Sequence, residues 1–247
     1  VDACKPPRVR ALLFDVFGTL VDWRTSLVRD LGRFGESRGI VCDWIALVDA
    51  WRAAYRPSLD RVRAGTLPWR DLDTLHAASF DDLVETFALS GALAAEDRAW
   101  IVRRWHALDP WPDTRAGLAR LRERHVVATL SNGNVALLVD LARHGDLRFD
   151  AILSAELFGH YKPDPQTYRG AVALLGCEPH EAMLVAAHND DLLAARAEGL
   201  RTAFVARRSE YGPAQASDLV ADAAIDVVAE DLLELADRLA AGDGALA

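Results

Sequence analysis

Four stretches of the chain place polar side chains after short apolar runs, three directly and one (161–165) after a short connection, and each supplies a group that can do chemistry. VRALLFDV (9–16) delivers Asp15, followed by Phe17, Gly18 and Thr19. HVVATL (125–130) leads into Ser131, Asn132 and Gly133. YKPDP (161–165) carries Lys162, and EAMLVAA (181–187) leads into His188, Asn189, Asp190 and Asp191. A carboxylate at the end of an oily run can act as a nucleophile, a lysine can hold it ionised, and an imidazole or a second carboxylate can carry protons. Each cluster alone also reads as turn chemistry: Asp as a helix cap, Ser-Asn-Gly as a turn, KPDP as a loop before a helix. Four such clusters in chain order are much harder to obtain from turn chemistry.

The apolar runs, with FDAIL (149–153) and RTAFV (201–205), are too short for most helices and read as buried strands. Helical patterns alternate with them, namely DTRAGLARLRE, NVALLVDLARHG, PQTYRGAVALLG and DLLAARAEG, two of which stop at Gly176 and Gly199. This alternation predicts an α/β fold, a Rossmann-like doubly wound parallel sheet with helices on both faces. Such sheets bind ligands beyond the carboxyl ends of their strands, where the four clusters fall.

Residues 22–108 break the rhythm with helix-period patterns and few strand signals. They are expected to form a helical cap domain inserted after the first strand, leaving 1–21 and 109–247 as the core. Asp109-Pro110-Trp111-Pro112 reads as the return hinge. All seven tryptophans lie between Trp23 and Trp111. Most should pack insertion against core, with one or two facing the cleft to line an apolar pocket. The arginines of RAWIVRRW read as a solvated helix face, and AAGDGALA at the end as a frayed tail.

Composition narrows the class of function. The 247 residues are 51% apolar with a formal net charge of −9 and no basic block, which argues against a nucleic-acid partner. No apolar stretch approaches the ~20 residues of a membrane span, and no signal-peptide pattern is visible. Cys4, Cys42 and Cys177 are few, odd in number and far apart, which predicts a reducing, cytoplasmic setting.

FDVFGTLVDW, TLSNGN, YKPDPQTY and VAAHNDDLLAARAEGLRTAFV together resemble the four motifs of the haloacid dehalogenase superfamily. The resemblance covers essentially the whole chain. It implies Asp15 as nucleophile and Lys162 as its partner. Most members are Mg²⁺-dependent phosphatases, with an acid two residues after the nucleophile and an Asp opening the last cluster as metal ligand. Those positions hold Phe17 and Ala187 here. Phenylalanine cannot protonate a leaving alkoxide, and alanine cannot ligate a hard cation.

An aromatic followed by Gly-Thr-Leu is instead similar to the L-2-haloacid dehalogenase branch. Tyr168 follows Lys162 by six residues, as in that branch. Trp51-Arg52 resembles its Trp-Arg pair, with the arginine facing the leaving halide. Ser131-Asn132 resembles the pair that holds the substrate carboxylate and halide. The resemblance implies catalytic roles for Asp15, Lys162, Asp191 and Arg52, and substrate contacts from Phe17, Thr19, Ser131, Asn132, Tyr168 and His188. Asp191 is the candidate for positioning or deprotonating water. No metal or cofactor is implied. Two positions depart from the branch. His188 stands in place of an asparagine and Asp190 in place of an aromatic. His188 reads either as a donor to the halide or ester, or as a side chain held by a neighbouring loop. Asp190 reads alternatively as a helix cap.

The expected activity is that of an (S)-2-haloacid dehalogenase-type hydrolase. It would convert short 2-haloalkanoic acids, haloacetates such as fluoroacetate among them, to 2-hydroxy acids and halide through an ester on Asp15. The resemblance also implies a homodimer. The competing readings are a Mg²⁺-dependent phosphatase, the same aspartyl ester with another leaving group on C-2, and a non-catalytic binding protein. The last leaves no reason to keep Asp15, Lys162, Arg52 and Asp191 together.

Overall fold

Strand β1 is only Ala11–Phe14, and all four of its residues are buried. The sequence confines it: covered on both faces, a central parallel strand must be apolar at every position rather than at alternate ones. The computed structural model describes residues 8–242. After β1 come helices α1 (Trp23–Arg38), α2 (Trp44–Arg63), α3 (Leu72–Thr86) and α4 (Ala95–Val102), and a 3-10 turn at Arg103–His106. The alternating part follows: α5 (Thr114–Arg122), β2 (Val126–Ser131), α6 (Val135–Gly145), β3 (Ala151–Ser154), α7 (Pro165–Leu174), β4 (Ala182–Ala186), α8 (Asn189–Ala197) and β5 (Arg201–Val205). Strand β6 (Val227–Ala229) and helix α9 (Leu232–Gly242) close the chain.

The six strands are parallel in the order β3-β2-β1-β4-β5-β6. The chain winds outward from β1 in one direction, then returns to begin β4 on its other side. The end of β1 is therefore the topological switch point, where a crevice opens. Side chains alternate across the sheet. Leu12 and Phe14 join the core with Leu118 of α5, Leu137 of α6 and Leu235 of α9. Leu13 joins Tyr168 of α7 and Leu192 of α8 on the opposite face. Each such buried side chain is worth about 1.5–3 kcal/mol relative to exposure, which fixes the register that carries Asp15 to the edge.

The first three insertion helices start on aspartates. Asp22, Asp43 and Asp71 accept from the backbone N–H of Thr25, Ala46 and Thr74 at 3.0, 2.9 and 2.8 Å. Such a cap is worth ~1 kcal/mol each. Helix α2 continues through Pro57 to Arg63. The segment expected as a return hinge lies along the outgoing one. Asp22 N donates to Asp109 O at 2.9 Å and Trp111 N to Leu20 O at 3.1 Å. Trp111 Nε1 donates to Gly18 O at 2.8 Å.

The expected strands are present: β1, β3 and β4 are shorter than their apolar runs, β2 is as long but begins one residue later, and β5 coincides with its run. Strand β6 and helix α9 were not expected, because a three-residue strand is too short to show a pattern. Ala240–Gly242, the start of the expected frayed tail, form the last turn of α9. The rest of that tail and Cys4 lie outside the described residues. In RAWIVRRW, Ile101 and Trp105 are buried, while Arg98 and Arg103 face out toward Asp81 and Asp140. Among the described residues no helix is long and apolar enough to cross a membrane.

Candidate active site

Asp15 directly follows β1, and its N–H still pairs with Val185 O of β4 at 3.0 Å. The chain then turns at Gly18, whose φ of +82° is a conformation that favours glycine. The turn brings Thr19 back beneath the carboxylate. Its hydroxyl donates to Asp15 Oδ2 at 2.8 Å and accepts from Ala187 N at 2.9 Å, which ties the carboxylate to the end of β4. Lys162 reaches from the loop before α7 and donates to Asp15 Oδ1 at 3.0 Å and Asp191 Oδ2 at 2.5 Å. Its own backbone N–H is held by Asn132 Oδ1 at 2.8 Å. Tyr168 donates to Asp191 Oδ1 at 2.6 Å, so both oxygens of Asp191 are engaged.

These contacts set the charges. Burial alone would push Asp15 up, but the charge of Lys162, the hydrogen bond and charge of His188 and the Thr19 hydroxyl outweigh it. Its carboxyl is held well below the usual carboxylate range. Burial also opposes the Lys162 ammonium, yet Asp15 and Asp191 raise it above the ordinary lysine value. Asp191 goes the other way. Burial pushes it up, Lys162 only partly offsets that, and the charge of Asp15 adds to the rise. Asp15 is thus held ionised, the state a nucleophile requires.

His188 stands at the other flank of Asp15, with Nδ1 3.3 Å from Oδ2. Its Nε2 lies 2.9 Å from Oε2 of Glu210, a carboxylate 1% exposed in the loop after β5. Glu210 also accepts from Trp23 Nε1 at 2.9 Å and lies 3.9 Å from Arg52. A Cβ on Gly18 would fall 2.1 Å from Glu210 Oε1, so glycine is needed there for space as well as for φ. Burial disfavours the imidazolium. The charge of Glu210 and the hydrogen bonds and charge of Asp15 and Glu210 reverse this and hold His188 well above its ordinary value.

The insertion covers the opening. A cavity of about 670 Å³ is lined by Asp15, Phe17, Trp23, Arg52, Tyr55, Asn132, Lys162 and His188, among others. Arg52, from α2, stacks its guanidinium 4.4 Å from the Tyr55 ring centre and 5.3 Å from that of Trp23. Its Nη1 is buried with no hydrogen-bond partner among the described residues. Behind this wall Trp51, His76, Phe80 and Trp105 form a buried aromatic cluster, and Phe17 meets Trp105 edge-on at 5.8 Å. Trp23 is the tryptophan that faces the cleft.

Of the ten residues expected at the site, Asp15, Phe17, Arg52, Asn132, Lys162, His188 and Asp191 line the cavity. Thr19, Ser131 and Tyr168 do not. All three are fully buried. Thr19 acts on Asp15, Tyr168 on Asp191, and Ser131 accepts from Gly133 N at 3.1 Å to shape its own turn. Asp190 is not the helix cap; His188 holds that position. Asp190 instead pairs with Arg56 of α2 across the mouth of the cavity. Glu210 and Tyr55 were missed. The strand-end rule, applied to RTAFV as it was to the other runs, leads to Arg207, Arg208 and Glu210.

A divalent cation does not fit these donors. Ala187 brings a methyl group where a ligand would be needed, Asp190 is turned to Arg56, and Asp191 to Lys162 and Tyr168. Among the described residues no group of three His, Cys, Asp or Glu side chains is arranged to hold a metal ion.

Comparison with known proteins shows which family the chain resembles. The profile of the haloacid dehalogenase-like hydrolases matches residues 9–199. A solved L-2-haloacid dehalogenase structure is 52% identical, with a TM-score of 0.92, covering 94% of this chain and 99% of that one. A defluorinating L-2-haloacid dehalogenase is 38% identical, with a TM-score of 0.91, covering 96% and 100%. The (S)-2-haloacid dehalogenase 1 of Pseudomonas sp. (strain CBS-3) is 30% identical over 207 residues, 81% of this chain and 85% of that protein.

Proposed function

Because the chain belongs to the haloacid dehalogenase-like hydrolase family, we propose that it hydrolyses short 2-haloalkanoic acids, haloacetates included, to 2-hydroxy acids and halide. One observation carries this reading. Asp15 is ionised and fixed by Lys162 and Thr19, while the residue two places on, which faces the same cavity, is Phe17. The site has a nucleophile, and at the position two residues on, where a phosphatase carries its acid for the leaving oxygen, it has a phenyl ring. A leaving halide needs no such acid.

In the first step an oxygen of Asp15 attacks C-2 of the substrate, the carbon–halogen bond breaks, and the halide leaves with its electron pair. Holding the reacting atoms in line supplies up to ~7–11 kcal/mol of the barrier. Arg52, with an unsatisfied Nη1 in an aromatic wall, receives the developing halide, where little water competes. Asn132, whose Nδ2 donates to Tyr55 at 3.1 Å, stands on the same wall to orient the substrate carboxylate. Water then attacks the ester carbonyl, releases the 2-hydroxy acid and restores Asp15. Asp191 keeps Lys162 aimed at Asp15. Helices α1–α4 act as a cap on the sheet. The family likeness further points to a cytoplasmic homodimer, which light scattering of the purified protein tests.

The test is halide release from fluoro-, chloro- and bromoacetate and from both 2-chloropropionate enantiomers, with a metal chelator present. Wild type releases halide and Asp15→Asn does not. If both are inert, the proposal fails. Phosphate release from an aryl phosphate that requires added Mg²⁺ would establish the phosphatase reading in its place.

A further inference from the structure

The family resemblance offers Asp191 as the group that activates water for the second step, but its two oxygens already accept from Tyr168 and Lys162. His188 is placed differently. It lines the cavity, and its two ring nitrogens face two carboxylates, Asp15 at 3.3 Å and Glu210 at 2.9 Å. Glu210 is buried and fixed by Trp23, so it sets the orientation of the ring. An imidazole held at one nitrogen by a buried carboxylate, with the other facing the reacting centre, has the arrangement of a general base.

Resting on the dehalogenase reading above, we propose that His188, positioned by Glu210, is the base that activates water against the Asp15 ester, and that formation of the ester arms it. Before reaction the ring lies between two anions and stays an imidazolium, which cannot accept a proton. It donates to Asp15 instead. Esterification removes the charge of Asp15. With one flanking anion gone, His188 releases its proton to solvent, and Nδ1 now carries a lone pair beside the ester. It takes a proton from water as the water oxygen bonds to the ester carbonyl carbon. The acyl C–O bond then breaks, and the alkoxide takes that proton to become the 2-hydroxy acid. The new carboxylic acid of Asp15 returns its proton to His188. Each turnover consumes one water and releases one halide and one proton. The charged groups that face His188 are Asp15 from the β1 turn and Glu210 from the loop after β5. Lys162 and Arg52 stand behind these two carboxylates.

The experiment is rapid-quench halide release and intact-mass analysis with chloroacetate, on wild type, His188→Asn, Glu210→Gln and Asp191→Asn. His188→Asn and Glu210→Gln should release one equivalent of halide per site and then stall, with the esterified protein accumulating. Hydrolysis of the ester should slow by roughly 10²-fold or more. The halide burst itself reports that each variant is folded. In wild type the hydrolysis rate should rise with pH as the imidazolium is lost. In Glu210→Gln the residual rate should rise at lower pH, because an anion that favours the imidazolium is gone. A purely structural role for Glu210 would leave that profile in place. The inference is overturned if the His188 and Glu210 variants lose the burst, or if they turn over without accumulating ester. It is also overturned if Asp191→Asn alone accumulates it. A wild type that releases no halide removes the dehalogenase reading itself, a separate outcome.

Discussion

The floor and the roof of the cavity handle buried polar groups in opposite ways. On the floor, Asp15, Lys162, Asp191, Thr19 and Tyr168 are buried and every reacting oxygen has a donor. In the roof, Arg52 Nη1 and both nitrogens of His76 are buried without a hydrogen-bond partner among the described residues. The floor is complete before substrate arrives, and holds one carboxylate in one ionisation state. The roof keeps unmet donors, which destabilises the resting protein and leaves Arg52 ready for an anion. Stability and activity should therefore respond differently to damage on the two sides.

The largest effect is expected at the floor. Asp15→Asn should lower halide release by at least about 10⁴-fold while leaving the fold in place, as read by steady-state kinetics and circular dichroism. Lys162→Met should cost both activity and stability. It leaves two buried carboxylates facing each other without their cation, at roughly 3–5 kcal/mol by denaturant titration at neutral pH. That loss should shrink as pH falls and the carboxylates protonate. An unaltered midpoint would show that the floor is not held by this pair.

The roof should show the reverse pattern. Arg52→Leu is expected to lower kcat by about 10²–10³-fold, the size of losing one charge-stabilising donor, with a denaturation midpoint equal to or above wild type. A large drop in stability instead would erase the contrast. The two histidines sharpen it through pH. His188 is raised in the folded state, so its contribution to stability is full below about pH 6.5 and is lost as pH rises through the folded value. His188→Gln should flatten the decline of stability above that point. His76 is pushed down to about 3 by burial, with Arg52 and His106 adding to the effect and Asp73 opposing it. Its contribution is therefore present above about pH 6.5 and lost as pH falls toward the folded value. The smallest effect is expected for His76→Leu. It should be neutral or stabilising by about 1 kcal/mol at neutral pH, and should remove that acid sensitivity, with kcat little changed.

The floor was more legible in the sequence than the roof. Asp15 sits directly beyond a strand, Lys162 in the connection after one and Asp191 in the first turn of the helix after another, and strands announce themselves by apolar runs. Their placement follows once β1, β3 and β4 are recognised. The roof is set by packing between helices far apart in sequence, such as Trp51 of α2 against His76 and Phe80 of α3, which no local pattern encodes. Glu210 escaped for another reason. It lies five residues beyond β5, a strand whose end was not followed as the others were, and its importance shows only in its contacts with His188, Trp23 and Gly18. Thr19, Ser131 and Tyr168 show the limit of motif reasoning. Their types were informative, but whether a side chain meets the substrate or a neighbour depends on a few ångströms of depth.

The segments leading into and out of the insertion lie side by side, from Asp22 paired with Asp109 to Trp111 against Gly18. The insertion is in effect a closed loop whose ends meet. Doubling the length of such a loop costs only ~0.6 kcal/mol in closure entropy, so the sheet places little constraint on how large the insertion is. The substrate-facing wall can thus be lengthened, shortened or exchanged as a module while the strands keep their register. Its point of attachment, however, is the carbonyl of Gly18, three residues from Asp15. A replacement that shifts Trp111 would disturb the reacting carboxylate before it altered any contact with substrate.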